Sequence, residues 1–234
     1  MAPIAPTAVL CGDPARALTI AQELLVEARM SNHHRGLWGY HGETKAGLEL
    51  TVQATGVGGP TAALVISELG RRGTVRAIRV GSSRCLDPEP ESPQDGSHRR
   101  LGATVAARAV IADDGASAAY GARPSQALAP DPDLTRGLVE PCEGCAPLHS
   151  VGRLDPPPGS LPAGALYDLQ SAALLAAATE AGVRLAIATV LARSGARPLQ
   201  DEPLEAASVR LAKAAAELLA DESRGSDGPS NPRA

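Results

Sequence analysis

The sequence predicts an α/β fold, a three-layer α/β/α single domain around a central mixed, twisted sheet. Short apolar runs with strand character alternate with helical apolar stripes along the chain. Three Gly-containing loops, Gly12-Asp13-Pro14, Thr55–Pro60 and Gly81–Ser83, follow such strands. The core is aliphatic: 44% of the 234 residues are hydrophobic, but only 2% are aromatic and Phe is absent. Ala, Leu, Val and Ile must therefore fill the space between layers.

The elements follow in order. Ala8-Val-Leu-Cys-Gly12 reads as a buried strand. Asp13 is a helix N-cap and Pro14 suits the first turn, so a helix is expected through about Met30, with Leu18, Ile20, Leu24 and Leu25 as its apolar stripe. Leu48–Ala54 alternates like a half-buried strand. The tight loop Thr55–Pro60 leads into a helix over Ala62–Leu69, which ends near Gly70 and Gly73. Ala77-Ile-Arg-Val80 is a strand that stops at Gly81-Ser82-Ser83. Apolar character returns over Thr104–Ile111, and further strands are expected at Pro147–Val151, Ala165–Leu169 and Leu185–Ala192. Ser171–Glu180 and Pro203–Ala220 read as helices. The domain is expected to span 1–221, with residues 87–100 as a mobile Pro- and Ser-rich loop and 222–234 as a disordered tail.

Charge and cysteine content narrow the function. Lys and Arg number 22 against 26 Asp and Glu, a net −4, which disfavours nucleic acid as a partner. No apolar run reaches the roughly 18–20 residues of a membrane helix, and the start lacks the charged and apolar regions of a secretory signal. Cys11, Cys85, Cys142 and Cys145 are too few for a disulfide framework in a chain this long. A cytoplasmic protein without membrane contact is expected. Cys142-Glu-Gly-Cys145 is a lone CxxC with His149 as the only nearby further ligand, so it reads as a loop thiol pair and no metal is expected. His33 and His34 read as a solvated pair near an interface.

In α/β sheets, ligands sit beyond the carboxyl ends of strands. There Gly12-Asp-Pro-Ala-Arg16 offers helix N-terminal amides and a guanidinium, a suitable anion site. Arg79 stands in an otherwise apolar strand just before Gly81-Ser82. It either faces solvent or pairs a carboxylate, or it clamps an anion with the Ser82 hydroxyl beside it.

These segments, with Asn32-His-His-Arg-Gly36, Thr55-Gly-Val-Gly-Gly-Pro60, Asp113-Asp-Gly-Ala-Ser117 and Asp168-Leu-Gln-Ser-Ala172, resemble the nucleoside phosphorylases of the uridine phosphorylase and hexameric purine nucleoside phosphorylase type. The resemblance runs from about Ala8 to Ala220. It implies phosphorolysis of a nucleoside to free base and ribose 1-phosphate, with inorganic phosphate as co-substrate and no cofactor. It also implies phosphate binding by Gly12, Arg16, Arg79 and Ser82, with Arg35 supplied by the neighbouring subunit of a homodimer or homohexamer. Catalytic roles fall to Arg79 and Gln170, and ribose or base contacts to Leu169, Gln170, Arg84 and Arg193.

The sugar and base end departs from the pattern. Gln170 stands where relatives carry a Glu that grips the ribose, and Gly195 where purine-specific relatives carry an acid for the leaving base. Arg84 replaces a Gly, and either fills the base pocket or binds a charged ligand. Arg193 or Arg197 is positioned to hydrogen-bond a leaving pyrimidine. Two other readings remain: a non-catalytic member that binds phosphate or a sugar phosphate, and a nucleosidase, for which the arginine set has no purpose.

Overall fold

The computed structural model describes residues 2–90 and 99–226. The first half contains β1 (Thr7–Cys11), α1 (Pro14–Leu24), β2 (Leu25–Asn32), a 3-10 turn (His34–Gly36), β3 (Gly39–Thr44), β4 (Glu49–Ala54), α2 (Gly59–Arg71) and β5 (Arg76–Cys85). Next come β6 (Thr104–Asp113), α3 (Gly115–Ala118), β7 (Gln126–Leu128), α4 (Pro132–Val139) and β8 (Gly144–Val151). The chain ends in β9 (Leu166–Asp168), α5 (Ser171–Glu180), β10 (Arg184–Ser194), β11 (Arg197–Pro198) and α6 (Asp201–Ser226).

The strands form one mixed sheet in the order β11-β10-β6-β8-β9-β5-β1-β4-β3-β2, with β7 beside β6. β10 pairs β5 as well as β6, so β5, β10, β6, β8 and β9 close on themselves. Side chains alternate across the sheet and feed two apolar layers. Ala8, Leu10, Ala77, Leu185 and Ile187 pack in one with α2 and α5. Val9, Ile78, Val80, Ala186 and Ala188 pack in the other with α1, α4 and α6. This is the expected three-layer arrangement. Small residues bring the layers close: Ala172, Ala173, Ala177 and Ala178 of α5 are fully buried. A Cβ on Gly59 would lie 2.9 Å from both Ala116 and Ala173.

Four boundaries differ from expectation. The first helix stops at Leu24 rather than near Met30, because Leu25 turns to extended backbone and β2 pairs antiparallel with β3. Of β2, only Leu25 and Ser31 are buried, so backbone pairing decides its conformation and not an apolar face. β5 continues through Gly81–Ser83 to Cys85, since β10 supplies a hydrogen-bonding partner along its length. Cys145 lies in β8 and not in a loop. α6 runs to Ser226, past Glu222 where composition places the start of the tail, because Glu222 pairs Arg184 and Ser223 accepts from Arg76. The rest of that tail, 227–234, and residues 91–98 of the Pro-rich loop lie outside the described residues.

Arg184 of β10 joins two helices. It donates to Asp131, the N-cap of α4, at 2.7 Å and to Glu222 of α6 at 3.1 Å. Burial alone raises the Asp131 pKa, but the hydrogen bonds and charge of Arg184 outweigh it and hold the carboxyl below its ordinary value of 3.8. A carboxyl depressed by folding stabilises the fold above its unfolded pKa, and that contribution fades as pH falls through the folded value. Arg184→Ala should therefore cost about 1 kcal/mol at neutral pH, because solvent screens the partly exposed guanidinium, and flatten the acid limb of the stability profile. Urea denaturation from about pH 7 to about pH 3 reads both effects.

Candidate functional site

β1 and β4 are parallel neighbours, and both deliver a loop to the same end of the sheet. After β1, Asp13 caps α1 by accepting from the Arg16 amide at 2.8 Å, with Pro14 in the first turn, as the sequence predicts. After β4, Thr55 donates its amide to the Cys11 carbonyl at 2.7 Å, which draws the two loops together. Gly12 sits between them, where a Cβ would lie 3.5 Å from the Gly56 oxygen and 3.7 Å from the Gln170 amide. These loops, β5 and the β9–α5 junction enclose a cavity of about 270 Å³. Gly12, Arg16, Arg79, Ser82, Arg84 and Gln170 line it.

Arg79 is only 3% exposed. Its Nη2 meets Asp168 Oδ2 at 2.9 Å, while Nε and Nη1 are buried without a hydrogen-bond partner. The sequence leaves carboxylate pairing and anion clamping as alternatives, and the geometry accommodates both. The side chain folds back over Gly81, where a Cβ would fall 2.0 Å from Arg79 Nη1. A side chain at 81 would thus have to displace the guanidinium, a constraint of space and not of backbone angle. Asp168 is itself committed: Oδ1 accepts the Gln170 and Ser171 amides at 3.3 and 3.2 Å, and Oδ2 accepts the Ser171 hydroxyl at 2.7 Å. It anchors the start of α5 and one edge of the guanidinium at once. Each unpartnered buried donor costs about 1–3 kcal/mol, so the other edge of Arg79 is a site short of an acceptor.

Arg16 lines the same cavity and makes no side-chain ion pair or hydrogen bond among the described residues. Its charge is felt nearby. Burial pushes the Cys11 thiol up to about 12, against the opposing pull of Arg16 and then Arg79. Cys11 is therefore a protonated core thiol and not a nucleophile.

Gln170 is buried, and its amide holds the loops together. Its Nε2 donates to the Gly56 carbonyl, and Thr55 Oγ1 lies 3.0 Å from its Oε1. The carbonyl fixes the amide orientation, because a reversed amide would oppose two acceptors. One Gln170 N–H has no other partner and is available to a ligand hydroxyl. A carboxylate at 170 would face the Gly56 carbonyl, so Glu is a poor fit in this loop arrangement.

The remaining sequence candidates divide. Leu169, Ser82 and Arg84 line the cavity. Arg193 does not: its Nε turns onto the Gly195 carbonyl at 3.1 Å, behind Arg84 on the neighbouring strand. Gly195 has φ +53 and its Cβ direction points at the Pro88 backbone 3.3 Å away, so an acidic side chain there would be strained. Arg35 is exposed, with φ +57. It lines a separate groove of about 290 Å³ beside Leu64, Leu69 and Arg72. His33 and His34 are exposed and stacked, with ring centroids 4.4 Å apart. Among the described residues no cluster of three His, Cys, Asp or Glu side chains is placed to hold a metal, and no helix is long and apolar enough to cross a membrane.

The sequence reading missed the positioning role of Asp168. The signal was present: Asp168-Leu-Gln-Ser171 stands immediately before an Ala- and Leu-rich helix, the spacing of a carboxylate that caps.

An arginine-lined cavity at the strand ends places this chain among three-layer α/β proteins, whose ligand sites sit at that end of the sheet. Residues 6–154, more than half of the chain, match the phosphorylase superfamily, and the chain belongs to that family. It is 40% identical over 87 residues to a DeoD-type purine nucleoside phosphorylase of Caldanaerobacter subterraneus, covering 37% of each chain. It is 32% identical over 149 residues to a uridine phosphorylase of Thermococcus kodakarensis, covering 64% of this chain and 50% of the relative. The chain thus spans half or less of the length of these relatives. A crystal structure of uridine phosphorylase from Vibrio fischeri superposes with a TM-score of 0.78 over 93% of both chains at 20% identity, which shows the shared fold.

The packing of Arg79 over Gly81 gives a direct test. Inorganic phosphate should raise the thermal unfolding midpoint of the wild type. Gly81→Ala should displace the guanidinium and abolish that protection, as should Arg79→Ala. Differential scanning fluorimetry with and without phosphate reads the result, and unchanged protection in Arg79→Ala would remove that residue from the site.

Proposed function

We propose that this chain is a nucleoside phosphorylase, a pentosyltransferase that uses inorganic phosphate to cleave an N-glycosidic bond. The observation that carries the reading is the buried Arg79 edge. Nε and Nη1 have no protein acceptor, and Arg79 lines a cavity together with Gly12, Arg16 and Ser82. Two guanidiniums, a hydroxyl and a loop amide suit a small dianion.

The chemistry follows from holding that anion beneath a sugar. A phosphate oxygen attacks the anomeric carbon as the bond to the base nitrogen breaks. The bonding pair leaves with the base, and ribose 1-phosphate remains. Positive charge develops on the sugar, and the adjacent phosphate stabilises it. Gln170, with one free N–H, positions a ribose hydroxyl and Leu169 packs against the ligand. Glycine at 195 leaves that position without a general acid, so the base departs as an anion and takes its proton from solvent.

Arg35 completes the cage from a second subunit in this reading. Within its own chain it lines a different groove, so a homodimer, alone or within a hexamer, is needed to bring it to the phosphate. The four thiols are free, which suits a reducing compartment such as the cytoplasm. Phosphate is the co-substrate, and no cofactor enters the reaction.

Incubation with phosphate and a panel of purine and pyrimidine nucleosides should release free base and ribose 1-phosphate in equal amounts. Release should cease without phosphate and fall by at least about 10²-fold in Arg79→Ala. Phosphate binding with no base released across the panel would overturn the catalytic reading in favour of a ligand-binding role.

A further inference from the structure

The cavity has a second cationic end that the phosphate does not use. Arg84 follows Ser82 on β5, on the sheet face opposite Cys85, and lines the cavity beside Tyr167 and Leu154. Strand register sets its neighbours: Arg84 is the cross-strand partner of Arg193 on β10 and of Tyr167 on β9. Partners in register project on the same face. Two arginines therefore stand side by side, and like charges so placed repel unless an anion lies between or beside them.

The protein supplies little to offset this. Arg193 reaches only the carbonyl of Gly195. Asp155 lies 4.0 Å from Arg84 Nη1, beyond hydrogen-bond length, and its side chain is 77% exposed. Arg84 Nη1 is buried and lacks an acceptor. Among the described residues nearby, Asp87 accepts from the Gly164 amide and Glu89 is paired with Arg197. Tyr167 donates its phenol proton to the Leu154 carbonyl at 3.2 Å, and its oxygen, a neutral acceptor, faces Arg84 without offsetting the charge. Arg84 Nη1 thus lacks a hydrogen-bond acceptor, as Arg79 Nε and Nη1 do.

We propose that Arg84, backed by Arg193, receives a second anionic group on the ligand, and that the substrate class is an anionic nucleoside bearing a carboxylate or a phosphate. This rests on the phosphorolysis reading, in which Arg79 and Arg16 hold the inorganic phosphate. Arg84 acts as a specificity-determining residue. A neutral nucleoside leaves the Arg84 edge buried and unpaired, whereas an anionic one satisfies it with a charge-assisted bond.

The test is calorimetric titration of uridine, orotidine and uridine 5′-monophosphate into the protein, with and without saturating phosphate. Orotidine carries its carboxylate on the base, and the monophosphate carries its charge on the sugar. At least one should bind about tenfold or more tightly than uridine, and the preferred probe identifies which part of the ligand faces Arg84. Arg84→Gln should abolish the preference and Arg84→Lys should retain part of it, while both variants bind inorganic phosphate as the wild type does. Equal affinity for all three probes, or a preference that survives Arg84→Gln, would overturn the proposal. Failure of the wild type to bind inorganic phosphate, read in a separate titration, would instead overturn the phosphorolysis reading.

Discussion

A buried guanidinium satisfied on only one edge organises the functional end of this protein. Arg79 reaches Asp168 through Nη2, and its other nitrogens remain without acceptors inside the fold. Desolvating such a group is costly unless it is paired. Asp168 supplies that pairing only because it is pinned by the Ser171 hydroxyl and the first amides of α5. The guanidinium can take its place only because residue 81 has no Cβ. Strand β5, the start of α5 and one glycine thus form a single device in the wall of the cavity.

The surrounding fold keeps this device in register. β1 and β4 run parallel, so their following loops meet, and Thr55 and Gln170 join those loops to the start of α5. Alanine-rich packing of α5 allows the layers to approach closely, and Asp168, the last residue of β9, sits at the start of that helix. Cys11 beneath the loops is an inert apolar residue whose thiol is held protonated by burial. The proposed chemistry is electrostatic, with fixed cations and dipoles arranged around the cavity before an anion arrives.

Much of the central sheet, and several residues that line the cavity, were legible in the sequence. Asp13-Pro14 announced the first helix, the apolar run around Arg79 announced a buried strand, and Gly12, Arg16 and Ser82 do line the cavity. What was hidden depended on long-range pairing. β2 has a helical look because its Leu25 continues the stripe of α1, and only β3, further along the chain, makes it a strand. The end of α6 looked like a polar tail because its stabilising partners, Arg184 and Arg76, lie far away in sequence. Arg193 looked available to a ligand, but the turn at Gly195 takes up its Nε. The commitment of Gln170 to Gly56 and Thr55 was equally invisible, since it spans distant loops.

Whether the unpaired edge of Arg79 is an oxyanion site is tested most directly by a crystal structure determined in the presence of phosphate. A tetrahedral anion should lie about 2.7–3.2 Å from the Arg79 nitrogens, within reach of the Gly12 amide and Arg16, while Asp168 keeps its bond to Nη2. An empty cavity with Nε and Nη1 satisfied by protein groups, or a guanidinium turned out to solvent, would contradict it.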